Sequence, residues 1–132
     1  QLYDSIAVIP GFFHLTYIHN PGAAFGLLPG RTAFFIVTAL LVFCVIIYAH
    51  RALPHEEKFL RVVLGMIGGG AFGNLYDRLA IGEVIDYLDF RIWPYIFNFA
   101  DSMIVIGVGL LMIYLLRRDR QTGDRPSDEQ DA

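Results

Sequence analysis

The stretch FNFADSMIVIGVGLLMIYLLRR, from Phe97 to Arg118, decides the fold. Its apolar part, Phe99 to Leu116, approaches the roughly 20 residues that a helix needs to cross the hydrocarbon of a bilayer. Yet the first turn carries an aspartate, Asp101. An ionisable group at the edge of a membrane segment is costly, and that makes it a candidate for function.

Working outward, two further segments are long enough to span: Thr32 to His50, and Phe59 to Leu79. Across 132 residues the chain is 55% hydrophobic and 17% charged, with a mean hydropathy of +0.51, which excludes an ordinary soluble domain. The expected fold is a mainly α, polytopic membrane protein. The middle segment is rich in glycine, and Gly65, Gly69 and Gly73 recur at i, i+4 and i+8, a spacing that predicts helix packing along that face. Arg51, Lys58 and Arg61 flank the first short loop, and Arg117, Arg118 and Arg120 follow the last helix. Basic residues accumulate on the cytoplasmic side, so that loop and the C-terminus are expected inside. Residues 1–31 and the loop from Ala80 to Phe97 are then outside. Nothing in residues 1–31 could carry them across a membrane, so a preceding helix is expected to be missing from this chain.

Residues 1–31 mix β-branched and aromatic residues between turn signals at Pro10-Gly11 and Asn20-Pro21-Gly22. They predict two short strands on the outer membrane surface. Tyr3, Tyr17, Trp93 and Tyr95 suit the headgroup level. His14 and His19 lack companion ligands for a metal, and no cofactor is expected. Cys44, alone in an apolar helix, is expected to be a small buried side chain. Residues 119–132 are polar and aperiodic, which predicts a disordered cytoplasmic tail behind a membrane domain of residues 1–118. No glycine-rich phosphate loop or basic stripe for nucleic acid is present.

Polar residues gather at one membrane depth. Asn74, Asp77 and Arg78 share a face near the outer end of the middle helix. Asn98, Asp101 and Ser102 open the last helix, and GEVIDYLDF between them carries Glu83, Asp86 and Asp89. Each has an unremarkable reading. Asn98 and Asp101 suit the unpaired amides and positive end of a helix N-terminus. Asp77 and Arg78 can be a structural polar pair, and Asp89 can be solvated or paired with Arg91. Asp86 is the least easily explained, because Val84, Ile85, Tyr87 and Leu88 surround it in what reads as an apolar loop.

Two carboxylates close together in a dry site cannot both ionise cheaply, so they share a proton. One can then activate water while its protonated partner polarises a carbonyl. Asp86, in apolar surroundings, suits the neutral acid, and Asp101, in a helix first turn, suits the anion. Ser102 has no histidine beside it to form a competing nucleophile.

Four ordered stretches, NPGAAFG at Asn20–Gly26, GGGAFGNLYDR at Gly68–Arg78, GEVIDYLDF at Gly82–Phe90 and FNFADS at Phe97–Ser102, resemble the lipoprotein signal peptidases, or signal peptidases II, of bacteria. The likeness covers nearly all of the chain except the tail. It implies an inner-membrane aspartyl endopeptidase with four membrane helices, the first absent here, and a small extracytoplasmic β-region. Its substrate would be a prolipoprotein cut just before its diacylglyceryl cysteine, met from the lipid by a monomeric enzyme. The resemblance places the catalytic pair on Asp86 and Asp101, and supporting or substrate-binding residues on Asn20, Asn74, Asp77, Arg78, Asn98 and Ala100. Two other classes share intramembrane carboxylates: a small transporter or ion-pathway subunit, and a non-catalytic assembly factor. Transport sites sit nearer the midplane than these boundary carboxylates do.

Overall fold

A computed structural model describes residues 1–23 and 27–123. In chain order it contains β1 (Ser5–Ile9), β2 (Phe13–Asn20), α1 (Thr32–Ala52), α2 (Lys58–Ile81), β3 (Val84–Phe90) and α3 (Phe99–Gly123). All three helices are long and apolar enough to cross a membrane. They run antiparallel in sequence order, with α2 in the middle against both neighbours. The middle helix can therefore be the most polar of the three. Its lipid-facing surface is the smallest, whereas α1 has no buried residue and α3 only Gly107.

The glycine expectation needs correcting. Gly65 and Gly69 meet nothing; a Cβ at Gly70 would collide with the Ala100 carbonyl, and one at Gly107 would come within 2.7 Å of Ile67. The residues that α2 buries against α3 are Val63, Ile67, Gly70 and Asn74, spaced four, three and four apart. One residue turns a helix by about 100°, so the register through Gly70, not the stripe through Gly69, faces the partner. Of the stripe, only Gly73 approaches α3: a Cβ there would lie 3.1 Å from the Ala100 methyl. Small residues let the backbones close up, which is how helices associate where lipid removes the hydrophobic driving force.

The end of the bundle at the α1–α2 connection is closed by the Arg61 guanidinium, which donates to the Leu53 carbonyl at 2.7 Å, and by the Tyr114 hydroxyl, which donates to Glu57 at 2.9 Å. At the opposite end Gly82, with φ +80°, caps α2 in the left-handed conformation and turns the chain into β3. Arg51 and Trp93 thus lie at opposite ends of the bundle.

The N-terminal strands form as expected, but they belong to a three-stranded antiparallel sheet, β1-β2-β3. The segment around Asp86 is its third strand and not a loop. VIDYLDF is rich in β-branched and aromatic residues, and its free edge is capped by Phe97, whose carbonyl accepts from the Tyr87 and Leu88 amides at 2.9 and 2.7 Å. Between the Leu15–Leu88 and Ile18–Asp86 pairs, β2 has two residues where β3 has one, a β-bulge.

Two more expectations change. Cys44 is exposed on α1, a helix that packs mainly against α2. Residues 119–123 are helical: α3 continues to Gly123, with the Thr122 hydroxyl donating to the Arg118 carbonyl at 2.7 Å and Arg120 favourably placed against the dipole of the last turn. The rest of the expected tail lies outside the described residues, as do Ala24, Phe25 and Gly26 of the NPGAAFG motif.

Candidate active site

Asp86 is 1% exposed, the most deeply buried charged side chain among the described residues. Each of its oxygens has one amide donor: Oδ1 accepts from Asn98 Nδ2 at 2.9 Å, and Oδ2 from Asn20 Nδ2 at 3.1 Å. Neither amide can turn round without loss. Asn20 accepts the Gly22 N–H at 2.9 Å on its own Oδ1, an Asx turn, and also donates to the Ala23 carbonyl. Asn98 immediately precedes α3 and accepts the Asp101 N–H at 2.8 Å. The helix-capping reading of FNFADS is therefore correct, and the cap also orients a second bond to Asp86.

The same side chains reach the other carboxylate. Asn98 Nδ2 also donates to Asn74 Oδ1 at 3.0 Å, and Asn74 Nδ2 donates to Asp101 Oδ1 at 2.7 Å. Asp86 and Asp101 are thus the two ends of a continuous chain of amides. Both line one cavity of about 490 Å³, whose other walls include Phe90, Trp93, Phe97, Val105 and Ile106. Polar groups gather at one place in an otherwise apolar chamber, the usual character of a small-molecule or peptide site. A second cavity of about 580 Å³ opens across Asn74 and Asn98 against Gly65, Gly69 and Met103.

Burial pushes the Asp86 carboxyl up to about 6, and the negative charges of Asp101 and Asp77 push the same way; the Asn20 and Asn98 amides oppose them. Desolvation outweighs two hydrogen bonds because an amide compensates a carboxylate only partly. No ion pair to Asp86 forms among the described residues.

The supporting residues divide. Asp77 accepts the Ile85 N–H at 3.1 Å and so holds the residue beside Asp86. Arg78 does not pair with it; it donates to the Gly22 carbonyl at 3.1 Å and covers the Phe35 ring at 4.7 Å, joining α2 to α1 and to the turn after β2. Ala100 reaches neither carboxylate through its side chain and serves the close approach of α3 to Gly70 and Gly73. Ser102 lines the chamber, with its hydroxyl donating to the Asn98 carbonyl at 3.2 Å.

A family model for signal peptidase (SPase) II matches residues 1–117. The chain belongs to the signal peptidase II family. The lipoprotein signal peptidase of Desulfitobacterium hafniense (strain DSM 10664 / DCB-2) is 65% identical over 118 residues, covering 89% of this chain and 78% of that one. That of Moorella thermoacetica is 50% identical over 123 residues, covering 93% and 81%. A bacterial membrane enzyme solved by the in meso method superposes with a TM-score of 0.87 at 34% identity, covering 97% of this chain and 80% of that one. Membership of this family makes the protein a multi-pass membrane peptidase that processes lipoproteins. The transporter alternative finds no support.

Sequence reading missed the strand that carries Asp86 and, with it, Thr16 as a partner for Asp89; the pairing of Asp89 with Arg91 is as expected. Asp89 is 7% exposed, accepts from the Thr16 hydroxyl at 2.7 Å, and pairs with Arg91 at 3.4 Å. The available signal was the density of β-branched and aromatic residues, Val84, Ile85, Tyr87 and Phe90, in a run that no glycine or proline breaks.

Proposed function

We propose that Asp86 and Asp101 are the catalytic dyad of an aspartyl endopeptidase, carried by residues 1–118, that cleaves diacylglyceryl prolipoproteins immediately before the lipidated cysteine. The observation that carries this reading is the amide chain that joins two carboxylates in one apolar chamber. Supporting, positioning roles go to Asn20, Asn74, Asp77, Arg78 and Asn98. Ala100 contributes by letting the helices close.

Asp86, whose carboxyl is pushed up to about 6, is the acid. Its two oxygens each accept one fixed amide, so the acidic proton occupies a lone pair that the amides leave open. From there it is donated to the scissile carbonyl oxygen. Asp101 is the base, taking a proton from the water that attacks the carbonyl carbon. The tetrahedral intermediate carries two hydroxyls. Asp101 returns its proton to the leaving amine as the C–N bond breaks, and Asp86 recovers its own from a hydroxyl as the new carboxyl forms. The dyad ends as it began, with one proton between two carboxyls.

The chamber stands at the sheet-bearing end of the helices, where water and hydrocarbon meet. A substrate arriving from lipid keeps its acyl chains apolar while the scissile bond reaches water. The lysine and arginine asymmetry assigns that end to the extracytoplasmic side of a bacterial inner membrane. A single copy holds both carboxylates, so the working unit is a monomer.

Asp86→Asn, Asp101→Asn and the double variant, assayed for cleavage of a diacylglyceryl prolipoprotein, test the dyad. Each single change is expected to lower kcat by about 10²–10⁴-fold, the range of a general acid or base. Two groups that act as one unit are not additive, so the double variant is expected to be no worse than either single one. A single variant with near-normal turnover removes the proposal.

A further inference from the structure

On β3, Asp86 and Asp89 are three residues apart, so their side chains leave opposite faces of the sheet. Asp86 faces the helices. Asp89 faces the other way, into a polar cluster that joins all three strands. Thr16 on β2 donates to Asp89 Oδ2 at 2.7 Å and contacts Ser5 on β1 at 2.9 Å; Arg91 reaches Asp89 at 3.4 Å and His14 Nδ1 at 2.9 Å. Thr16 is 8% exposed, so its bond to Asp89 is shielded from water.

Thr16 is also the first of the two bulged residues of β2, which lie between Leu15 and Ile18. In an unbroken strand Thr16 and Asn20 would share a face, being an even number of residues apart. Here they cannot, since Thr16 bonds Asp89 on one face and Asn20 bonds Asp86 on the other. The bulge supplies the change of face. Bulges beside active sites re-aim side chains in this way.

We infer that Thr16 and Asp89 are positioning residues for the peptidase reaction: their buried bond pins the β2 bulge and thereby sets Asn20 against the Asp86 carboxyl. Without it, β2 and β3 can relax toward an unbulged register, and a one-residue slip turns Asn20 away from Asp86. This rests on the assignment of Asp86 as the catalytic acid. Arg91 neutralises Asp89 from the solvent side, and the Thr16 hydroxyl supplies the directional bond that fixes the register.

The test uses the full-length enzyme in lipid bilayers with a diacylglyceryl prolipoprotein. Thr16→Val keeps the shape of the side chain and removes the hydroxyl; Thr16→Ser keeps the hydroxyl. Thr16→Val is expected to lower kcat about tenfold with KM little changed, since a small misplacement near the chemistry is felt chiefly in the transition state. Thr16→Ser is expected to restore at least half of the wild-type kcat. Asp89→Leu, which removes the acceptor, is expected to follow Thr16→Val. Asp86→Asn, run alongside, separates the two levels: if it stays active, the catalytic assignment fails. If Asp86→Asn is inactive while Thr16→Val and Asp89→Leu lose only melting temperature and keep wild-type kcat, the positioning role fails alone. A Thr16→Ser variant as slow as Thr16→Val also overturns it.

Discussion

Asp86 and Asp89 are both buried, both on β3 and only three residues apart, yet their surroundings differ in kind. Asp89 has a guanidinium at 3.4 Å and a hydroxyl at 2.7 Å. Asp86 has two neutral amides, the charges of Asp101 and Asp77 nearby, and an Arg78 guanidinium that acts on it electrostatically without forming an ion pair. A buried carboxylate with a cation can remain charged and structural. One hydrogen-bonded to amides alone lies near its proton-exchange point, which is what an acid catalyst needs.

The sharpest way to break this contrast is to exchange the consequences. Asp86→Asn is expected to reduce kcat by about 10²–10⁴-fold and Asp89→Leu by about tenfold. Equal losses in a cleavage assay would mean that the two sites do not differ as described.

The contrast should also be visible in stability. A carboxyl raised from 3.8 to about 6 in the folded state binds its proton more tightly there than in the unfolded chain. Stability from this group is therefore greatest below pH 4 and falls as pH rises toward 6, with little further change above. The shift corresponds to about 3 kcal/mol as an order of magnitude. Thermal melts in detergent across pH 4 to 7 are expected to show this decline in the wild type and to lose it in Asp86→Asn. An unchanged slope in that variant would assign the titration elsewhere.

Away from the sheet, the helix interface offers a smaller effect. Gly70→Ala drives a methyl into the Ala100 backbone, and overpacking of this kind costs about 1–3 kcal/mol. Gly69→Ala meets nothing and is expected to be neutral or slightly stabilising, by up to about 1 kcal/mol from helix propensity. Comparable melting temperatures for the two variants would contradict the register through Gly70.

Much of this was legible beforehand. Span lengths and basic flanks give three helices, and the carboxylates of VIDY and FADS stand out because an apolar setting leaves them unexplained. The strand character of VIDYLDF was harder to read, since a strand whose partner lies some 70 residues earlier has no local marker of pairing. The same limit hid Thr16 and Asp89. Their bond depends on a bulge, and a bulge is a property of two strands in register. The glycine stripe misled for a different reason: i, i+4 spacing identifies a shared face without saying which neighbour, if any, that face meets.

The central claim is that Asp86 reacts as an acid, and the pH dependence of kcat/KM for the wild-type enzyme tests it most directly. Asp86 is protonated below about 6 and ionised above, so its loss as a donor sets the alkaline limb. That limb is expected near pH 6 in kcat/KM, which reports the free enzyme, and at higher pH in kcat, because a bound substrate dries the chamber further and favours the neutral acid. A rate that rises through pH 6 and stays level to pH 8 in kcat/KM would contradict an acid role for Asp86.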